Sequence, residues 1–347
     1  MNATITTIIP TYRRPARLRR AIASVLAQTY PHFQVVVYDN ASGDETAEVV
    51  AEFSRHDPRI SYVRHPENIG SMANFNHGLQ AVDTAFFSFL SDDDALLPDF
   101  YATAMRKLEA FPDAAFWAGT TIVMDDEGVV RDATNWPEAH YTAPDGLLAM
   151  IANNYMIWTS MLFRTQPIST LGGLDPDVGA PIDTDFMLRI AARFAFITSP
   201  DPAAIWSCHS ESSTVAADPA FIWPGWLKTM RNITDDERLP ADLRLQVGRS
   251  LNDQVRRQLF QIGYNSIRQK KLGDALQSAQ ILREYFPQDR RAHILSVLAW
   301  LGRFVPGTYG LVHLVDRFRS AVRPGARAKA LDLQNRFGQY ARHLIAP

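Results

Sequence analysis

Over the first 111 residues, short β-branched apolar runs alternate with helical patterns, and few architectures accept that rhythm. Strands are expected at Thr4 to Ile9, Phe33 to Tyr38, Ile60 to Arg64 and Phe86 to Leu90. Between them, apolar residues at helical spacing predict helices over Ala16 to Gln28, Glu45 to Ser54 and Ser71 to Ala81, with another over Asp99 to Phe111. Asp44 is suited to cap the second of these. Such alternation implies parallel strands joined by right-handed crossovers. Polar loops follow the strands, so Thr11-Tyr12, Asp39-Asn40 and Asp92-Asp93-Asp94 are expected on one edge of the sheet. That is the carboxyl edge, where open α/β sheets place their ligands.

The stretch Phe86-Phe87-Ser88-Phe89-Leu90-Ser91-Asp92-Asp93-Asp94 ends a buried run in three carboxylates, and Pro98 suits the first turn of the helix that follows. Adjacent negative charges repel unless a cation sits among them or water screens them. Hard oxygen donors suit Mg²⁺ or Mn²⁺, which bridge a few carboxylates to substrate phosphates. The plain alternative is a solvated acidic turn, and the convergence of three polar loops on one edge argues against it.

Further on, Ala115 to Met124 reads as a strand and Asp125 to Gly128 as a hairpin turn whose acids serve the turn. Leu147 to Asn153 is expected to be helical and Met156 to Phe163 extended. A glycine turn at Leu171 to Asp175 precedes a helix opening at Ile182, with Asp183 at its N-terminal end. A last strand, Ala203 to Cys208, leads into His209. From Asp218 strand signals vanish, and helices are expected with breaks at Pro240, Gly273, Pro287 and Pro306-Gly307. The segment from Gly273 to Pro287 has the look of half of one tetratricopeptide pair, a single copy where arrays need several. The division expected is residues 1–215 as an α/β domain and residues 216–347 as a helical region.

The single cysteine, Cys208, excludes an internal disulfide and fits a reducing compartment. A formal net charge of −2 gives no support for nucleic-acid binding. No signal peptide and no membrane span are expected; Ile294 to Val315 reads as buried or interfacial helix. The expected location is the cytoplasm, or the inner face of a membrane. The final stretch is basic, through Arg317, Arg319, Arg323, Arg327, Lys329, Arg336 and Arg342. Solvated helix faces explain this first; contact with an anionic membrane surface is the alternative.

Taken in order, several motifs resemble the family 2 glycosyltransferases. They are Ile9-Pro10-Thr11-Tyr12-Arg13-Arg14, Asp39 to Asp44, Glu67-Asn68-Ile69-Gly70 with Asn74 and Asn76, Leu90 to Asp94 with Pro98, Gly172 to Asp175, and Asp183 to Arg189. The resemblance covers Thr4 to Ser213. It implies a GT-A fold, a mostly parallel Rossmann-like sheet flanked by helices with a helical C-terminal region added. It also implies metal-dependent, inverting transfer of a sugar from a nucleotide diphosphate donor, a UDP-sugar first, to an acceptor hydroxyl on a glycan, lipid-linked or protein acceptor.

On that resemblance Pro10, Thr11, Tyr12, Arg14, Asp39, Asn68, Gly70, Asn74 and Asp92 bind the donor. Asp39 would accept the base N3–H and Tyr12 would stack on the ring. Asp93 would be the direct metal ligand, with Asp92 on the ribose or reaching the metal through water, and His209 a third ligand or a phosphate contact. Asp94 is given a helix-start role, and Asp185 one of capping or supporting its helix. Asp183 would be the general base, although Ile182 stands where the family has a first acidic residue. Phe75 stands where many relatives have an arginine, a contact Arg14 could supply. The helical tail is left for acceptor binding, self-association or membrane docking. Two other readings are a non-catalytic nucleotide-sugar-binding or scaffold subunit, and a nucleotidyltransferase. Asp92, Asp93 and Asp183 argue against the first; the lack of a glycine-rich, lysine-bearing loop after the first strand argues against the second.

Overall fold

Ile5–Thr11 (β1), seven consecutive buried residues, is the central strand of the computed structural model, which describes residues 4–153, 156–209, 218–305 and 326–345. It runs parallel to Phe33–Asp39 (β2) on one side and Phe86–Phe89 (β4) on the other. Ile60–Arg64 (β3) lies parallel to β2. The crossovers are Pro15–Leu26 (α1), Thr46–Ser54 (α2) and Ser71–Gln80 (α3). Pro15 starts α1, where a missing N–H costs nothing. Strands buried on both faces read as unbroken apolar runs, which is why these were visible in the sequence.

The rest of the sheet is mixed. Its further strands are Ala95–Leu96 (β5), Ala114–Asp125 (β6), Val130–Ala133 (β7), Ala139–Tyr141 (β8), Met161–Arg164 (β9) and Ala195–Cys208 (β10). The order is β3-β2-β1-β4-β9-β6-β10-β5, with β7 against β6 and β8 against β10. Strand β9 runs antiparallel between β4 and β6, while β6 and β10 are parallel. Helices Phe100–Ala110 (α4), Asp145–Ala152 (α5), Thr165–Ser169 (α6) and Ile182–Ala191 (α7) complete this part. Stacked rings fill the core, with Phe87 and Phe163 centroids 5.0 Å apart and Phe116 and Phe196 4.8 Å apart.

Three expectations need correction. Pro98 does not enter a helix: it stands in a turn closed by Phe100 N–H on Leu97 O at 3.0 Å, and α4 starts only at Phe100. The expected strand over Met156 to Phe163 is broken by a 3₁₀ turn, Trp158–Ser160. Strand β10 starts at Ala195 rather than Ala203, because bulges around Pro202 absorb Pro200 and Pro202 that would otherwise end a strand.

The chain divides into two compact units, one comprising Met1–Pro176, Ile182–Ser210 and Ala330–Pro347, the other Asp177–Pro181 and Glu211–Lys329. The C-terminal helices thus return to the sheet unit. Leu333, Phe337 and Leu344 pack with Ala95, Leu97, Ile122, Met124 and Ile205. Val130 N–H donates to Gln334 Oε1 at 2.8 Å, and Arg20 Nη1 to Leu344 O at 2.9 Å.

In the second unit, Pro219–Thr234 (α8), Ala241–Arg268 (α9), Leu272–Tyr285 (α10) and Arg291–Phe304 (α11) form a helical bundle. Asp218 caps α8 through Ala220 N–H. Every fourth residue of α9, from Leu243 through Val247, Leu251 and Val255 to Leu259, is buried on one face. Gly263 continues that face where a Cβ would lie 2.7 Å from Leu295 and 2.9 Å from Ser278, so only glycine lets α10 and α11 approach this closely. The expected break at Pro306-Gly307 lies outside the described residues. Among the described residues, no helix is long and apolar enough to cross a membrane.

Candidate active site

The register of β1 on β2 sets Pro10 beside Tyr38 and Thr11 beside Asp39, at the carboxyl edge. The loop after β4 arrives there with its acids. Thr11 Oγ1 donates to Asp92 Oδ2 at 2.8 Å, and Tyr12 N–H reaches the same oxygen at 3.4 Å. Arg14 Nη1 lies 3.3 Å from Asp92 Oδ1 and 2.8 Å from Asp93 Oδ2. His209, just past the end of β10, places Nε2 3.0 Å from that Asp93 oxygen. Three distant parts of the chain therefore meet at two adjacent carboxylates. Burial and the Asp93 charge push Asp92 up to about 6, against the opposing pull of Arg14 and Thr11.

The turn after β1 is strained in a definite way. Arg13 and Ala41 both have left-handed backbone, at φ +55° and +60°. Ser42 ties the two turns together: it accepts from Arg13 N–H at 2.9 Å, and its carbonyl takes Arg13 Nε at 3.1 Å. Its hydroxyl in turn donates to Asp39 Oδ1 at 2.5 Å, and Tyr62 donates to Asp39 Oδ2 at 2.5 Å. Asp39 is thus buried and held rigidly, with acceptor capacity remaining on a carboxylate that offers about four lone pairs. Tyr12 is exposed, with the Arg13 guanidinium 5.0 Å from its ring centroid.

The loop after β3 joins the same edge. Asn68 Oδ1 accepts from Asn40 Nδ2 at 2.8 Å and from Gly70 N–H at 2.9 Å, while Asn40 Oδ1 accepts from Ile69 N–H at 2.8 Å. Gly70 has φ +86°, open to glycine and strained for other residues. Asn74, expected among the donor-binding residues, is tied to the protein itself. It is 1% exposed, donates to Tyr38 O at 2.8 Å and meets His65 Nε2 at 2.9 Å, so it pins α3 to β2. Phe75 is buried against Phe89 and Trp158, at 5.7 and 4.8 Å between centroids.

Asp94 also corrects its expected role. It is fully buried and accepts from Thr159 Oγ1 at 2.8 Å and Ser207 N–H at 2.9 Å, rather than standing at the start of α4. Burial and the neighbouring Asp93 hold its carboxyl well above the usual range. It anchors the end of β10, two residues before His209. Thr159, Ser207 and Tyr62 carried no signal in the sequence that could have singled them out.

Asp183 stands half-buried in the first turn of α7 and takes Thr184 N–H at 2.6 Å on Oδ1. Burial raises its pKa. Its described bonds are to Thr184, and none reaches Asp92, Asp93 or His209. The start of α7 is fixed from below. Asp185 pairs with Arg189 at 2.7 Å, and Arg189 donates to Leu171 O and Gly173 O at 3.2 and 2.9 Å. Gly172 and Gly173 have φ +78° and +80°, and a Cβ on Gly173 would meet Asn76 Oδ1 at 2.9 Å. Asp185 therefore braces α7 through Arg189, which in turn holds the glycine turn.

The donor set fits a divalent ion. Asp93 offers a carboxylate oxygen and His209 an imidazole nitrogen, 3.0 Å apart, and Mg²⁺ or Mn²⁺ would draw its other ligands from phosphate and water. Among the described residues no group of three or more His, Cys, Asp or Glu forms a metal cluster. Arg14 meets the same oxygen through a partly exposed side chain.

Residues 6–172 match the family profile of glycosyl transferase family 2. Over 104 residues the chain is 35% identical to the GalNAc(5)-diNAcBac-PP-undecaprenol beta-1,3-glucosyltransferase of Campylobacter jejuni, covering 30% of this chain and 34% of that one. The chain thus spans about a third of that relative's length. In fold it is similar to Staphylococcus aureus TarS 1-349 in complex with UDP-GlcNAc, with a TM-score of 0.67, 17% identity and coverage of 98% and 91%. It is also similar to the mannosyltransferase PcManGT of Pyrobaculum calidifontis in complex with GDP-Man and Mn²⁺, with a TM-score of 0.58, 16% identity and coverage of 99% and 88%.

Proposed function

From the match of residues 6–172 to glycosyl transferase family 2, we propose that this chain transfers a sugar from a nucleotide diphosphate sugar to an acceptor hydroxyl, inverting the anomeric carbon. The donor proposed first is a UDP-sugar, and the product a cell-surface polysaccharide or glycan assembled at the cytoplasmic side. The carrying observation is the bonded convergence of Thr11, Arg14 and His209 on Asp92 and Asp93. The named activity of the Campylobacter relative supports a glycan on a lipid carrier as acceptor.

In this reading Asp93 and His209 hold Mn²⁺ or Mg²⁺, and Asp92 faces the ribose. The ion supplies Lewis acidity that offsets the charge on the departing diphosphate. Arg14 exchanges its carboxylate partners for a phosphate, keeping one cation near the developing negative charge. Thr11, Tyr12 and Asp39 orient the base, with Asn68 and Gly70 at the rim. Asp183 takes the acceptor's proton on Oδ2, since Thr184 occupies Oδ1. The helical region is assigned to acceptor binding or self-association.

The test is turnover by the full chain with UDP-, GDP- and dTDP-sugars in Mn²⁺. Release of nucleotide diphosphate from one class, abolished by Asp183→Asn, supports the reading; nucleotide-sugar binding without turnover in any class would leave a non-catalytic subunit.

A further inference from the structure

Helix α11 is apolar on two opposite faces. Ala292, Leu295 and Ala299 are buried within the helical unit. Ile294, Val297, Trp300 and Phe304 lie on the other side and are 48–60% exposed. At about 100° per residue these four fall within an arc of roughly 120°, which also holds the exposed His293. Arg291 and Arg303 stand roughly 60° beyond its two edges. The Trp300 and Phe304 rings adjoin, with centroids 5.5 Å apart. A surface helix normally shows water a polar face, and a second apolar stripe calls for a cover.

Helix α11 itself carries charge of one sign: it contains Arg291 and Arg303, follows Arg290, and has no Asp or Glu. Asp289, before it, lies 3.7 Å from Arg291 Nη1. A two-fold contact between copies would set these arginines near one another. An anionic bilayer meets both needs at once. Its acyl boundary takes the Ile294, Val297 and Phe304 side chains, its interface suits Trp300, and its headgroups meet the flanking arginines.

We propose that the exposed face of α11 docks in the headgroup plane of an anionic lipid bilayer. The inference rests on this face alone and stands apart from the transfer reaction. It is tested by co-sedimenting the full chain with vesicles of phosphatidylcholine alone and of phosphatidylcholine with phosphatidylglycerol. Binding is expected to the anionic vesicles only, to weaken as salt rises, and to fall at least about tenfold in Trp300→Ser/Phe304→Ser. Trp300→Phe is expected to retain binding. Both positions are exposed, and a melting curve matching the parent's checks that the variants fold. Equal binding to neutral vesicles, or none to either, overturns the proposal. So does a concentration-dependent dimer in light scattering that the double variant abolishes, which would assign the face to a second copy.

Discussion

Arg14 Nη1 lies 2.8 Å from Asp93 Oδ2, the oxygen that His209 Nε2 meets at 3.0 Å. The arginine sets a cation against two adjacent carboxylates, Asp92 buried and Asp93 partly so. Replacing Arg14 with Ala removes that cation while leaving the charges. Folding stability in EDTA should fall by about 1–3 kcal/mol, and Mn²⁺ should restore more of it than it adds to the parent. In turnover, kcat/KM for the donor should drop about 10- to 100-fold. Denaturation with and without Mn²⁺ checks the first part, and an unchanged midpoint in EDTA would contradict it.

As the proposed base Asp183 must be ionised, and burial raises its pKa. The acid limb of kcat against pH should therefore lie above the ordinary carboxylate range. Asp183→Asn should lower kcat by about 10²- to 10⁴-fold with the donor KM little changed. A variant that loses donor affinity instead would move Asp183 out of the catalytic role.

Asp92 gives a stability signature of its own. Pushed up to about 6 in the fold, it holds a proton at pH 5 that the unfolded chain, with an ordinary carboxylate near 3.9, has released. The folded state thus binds more protons between about pH 4 and 6. By linkage, stability falls as pH rises through that window, by on the order of 2–3 kcal/mol. Asp92→Asn should flatten this slope in EDTA. Parallel stability–pH curves for parent and variant would show that Asp92 titrates normally.

The carboxyl-edge loops could be read from the chain because each polar cluster directly follows an apolar run. Asn74 and Asp94 could not. Their partners lie far off in sequence, Tyr38 O for Asn74, and Thr159 and Ser207 for Asp94. An asparagine or aspartate near a ligand loop looks the same whether it faces substrate or ties two elements together. The early part of β10 was hidden by Pro200 and Pro202, which the bulges accommodate. The return of the C-terminal helices was hidden too, since Leu333, Phe337 and Leu344 form an ordinary apolar stripe until Ile122 and Ile205 are known to receive it.

Because Asp94 fastens β10 just ahead of His209, its partner Thr159 offers a mild way to loosen the site. Thr159→Val keeps the volume and removes the hydroxyl bonded at 2.8 Å. It should cost about 1–2 kcal/mol of stability. Mn²⁺ affinity should weaken severalfold in the folded variant, while Asn74→Ala, which lowers stability through α3, should leave Mn²⁺ affinity unchanged. Calorimetric Mn²⁺ titration of both variants separates the two, and equal losses would mean that Asp94 has no positioning effect.

The central claim is that Asp93 joins a divalent ion to the donor's diphosphate. Calorimetric titration of UDP into the parent and into Asp93→Asn, each in Mn²⁺ and in EDTA, tests it most directly. The account predicts UDP binding in Mn²⁺ that weakens at least about tenfold in EDTA, and an Asp93→Asn variant whose weak binding ignores the metal. Parent affinity that is the same with and without Mn²⁺, or an Asp93→Asn variant that keeps the metal-dependent gain, would contradict it.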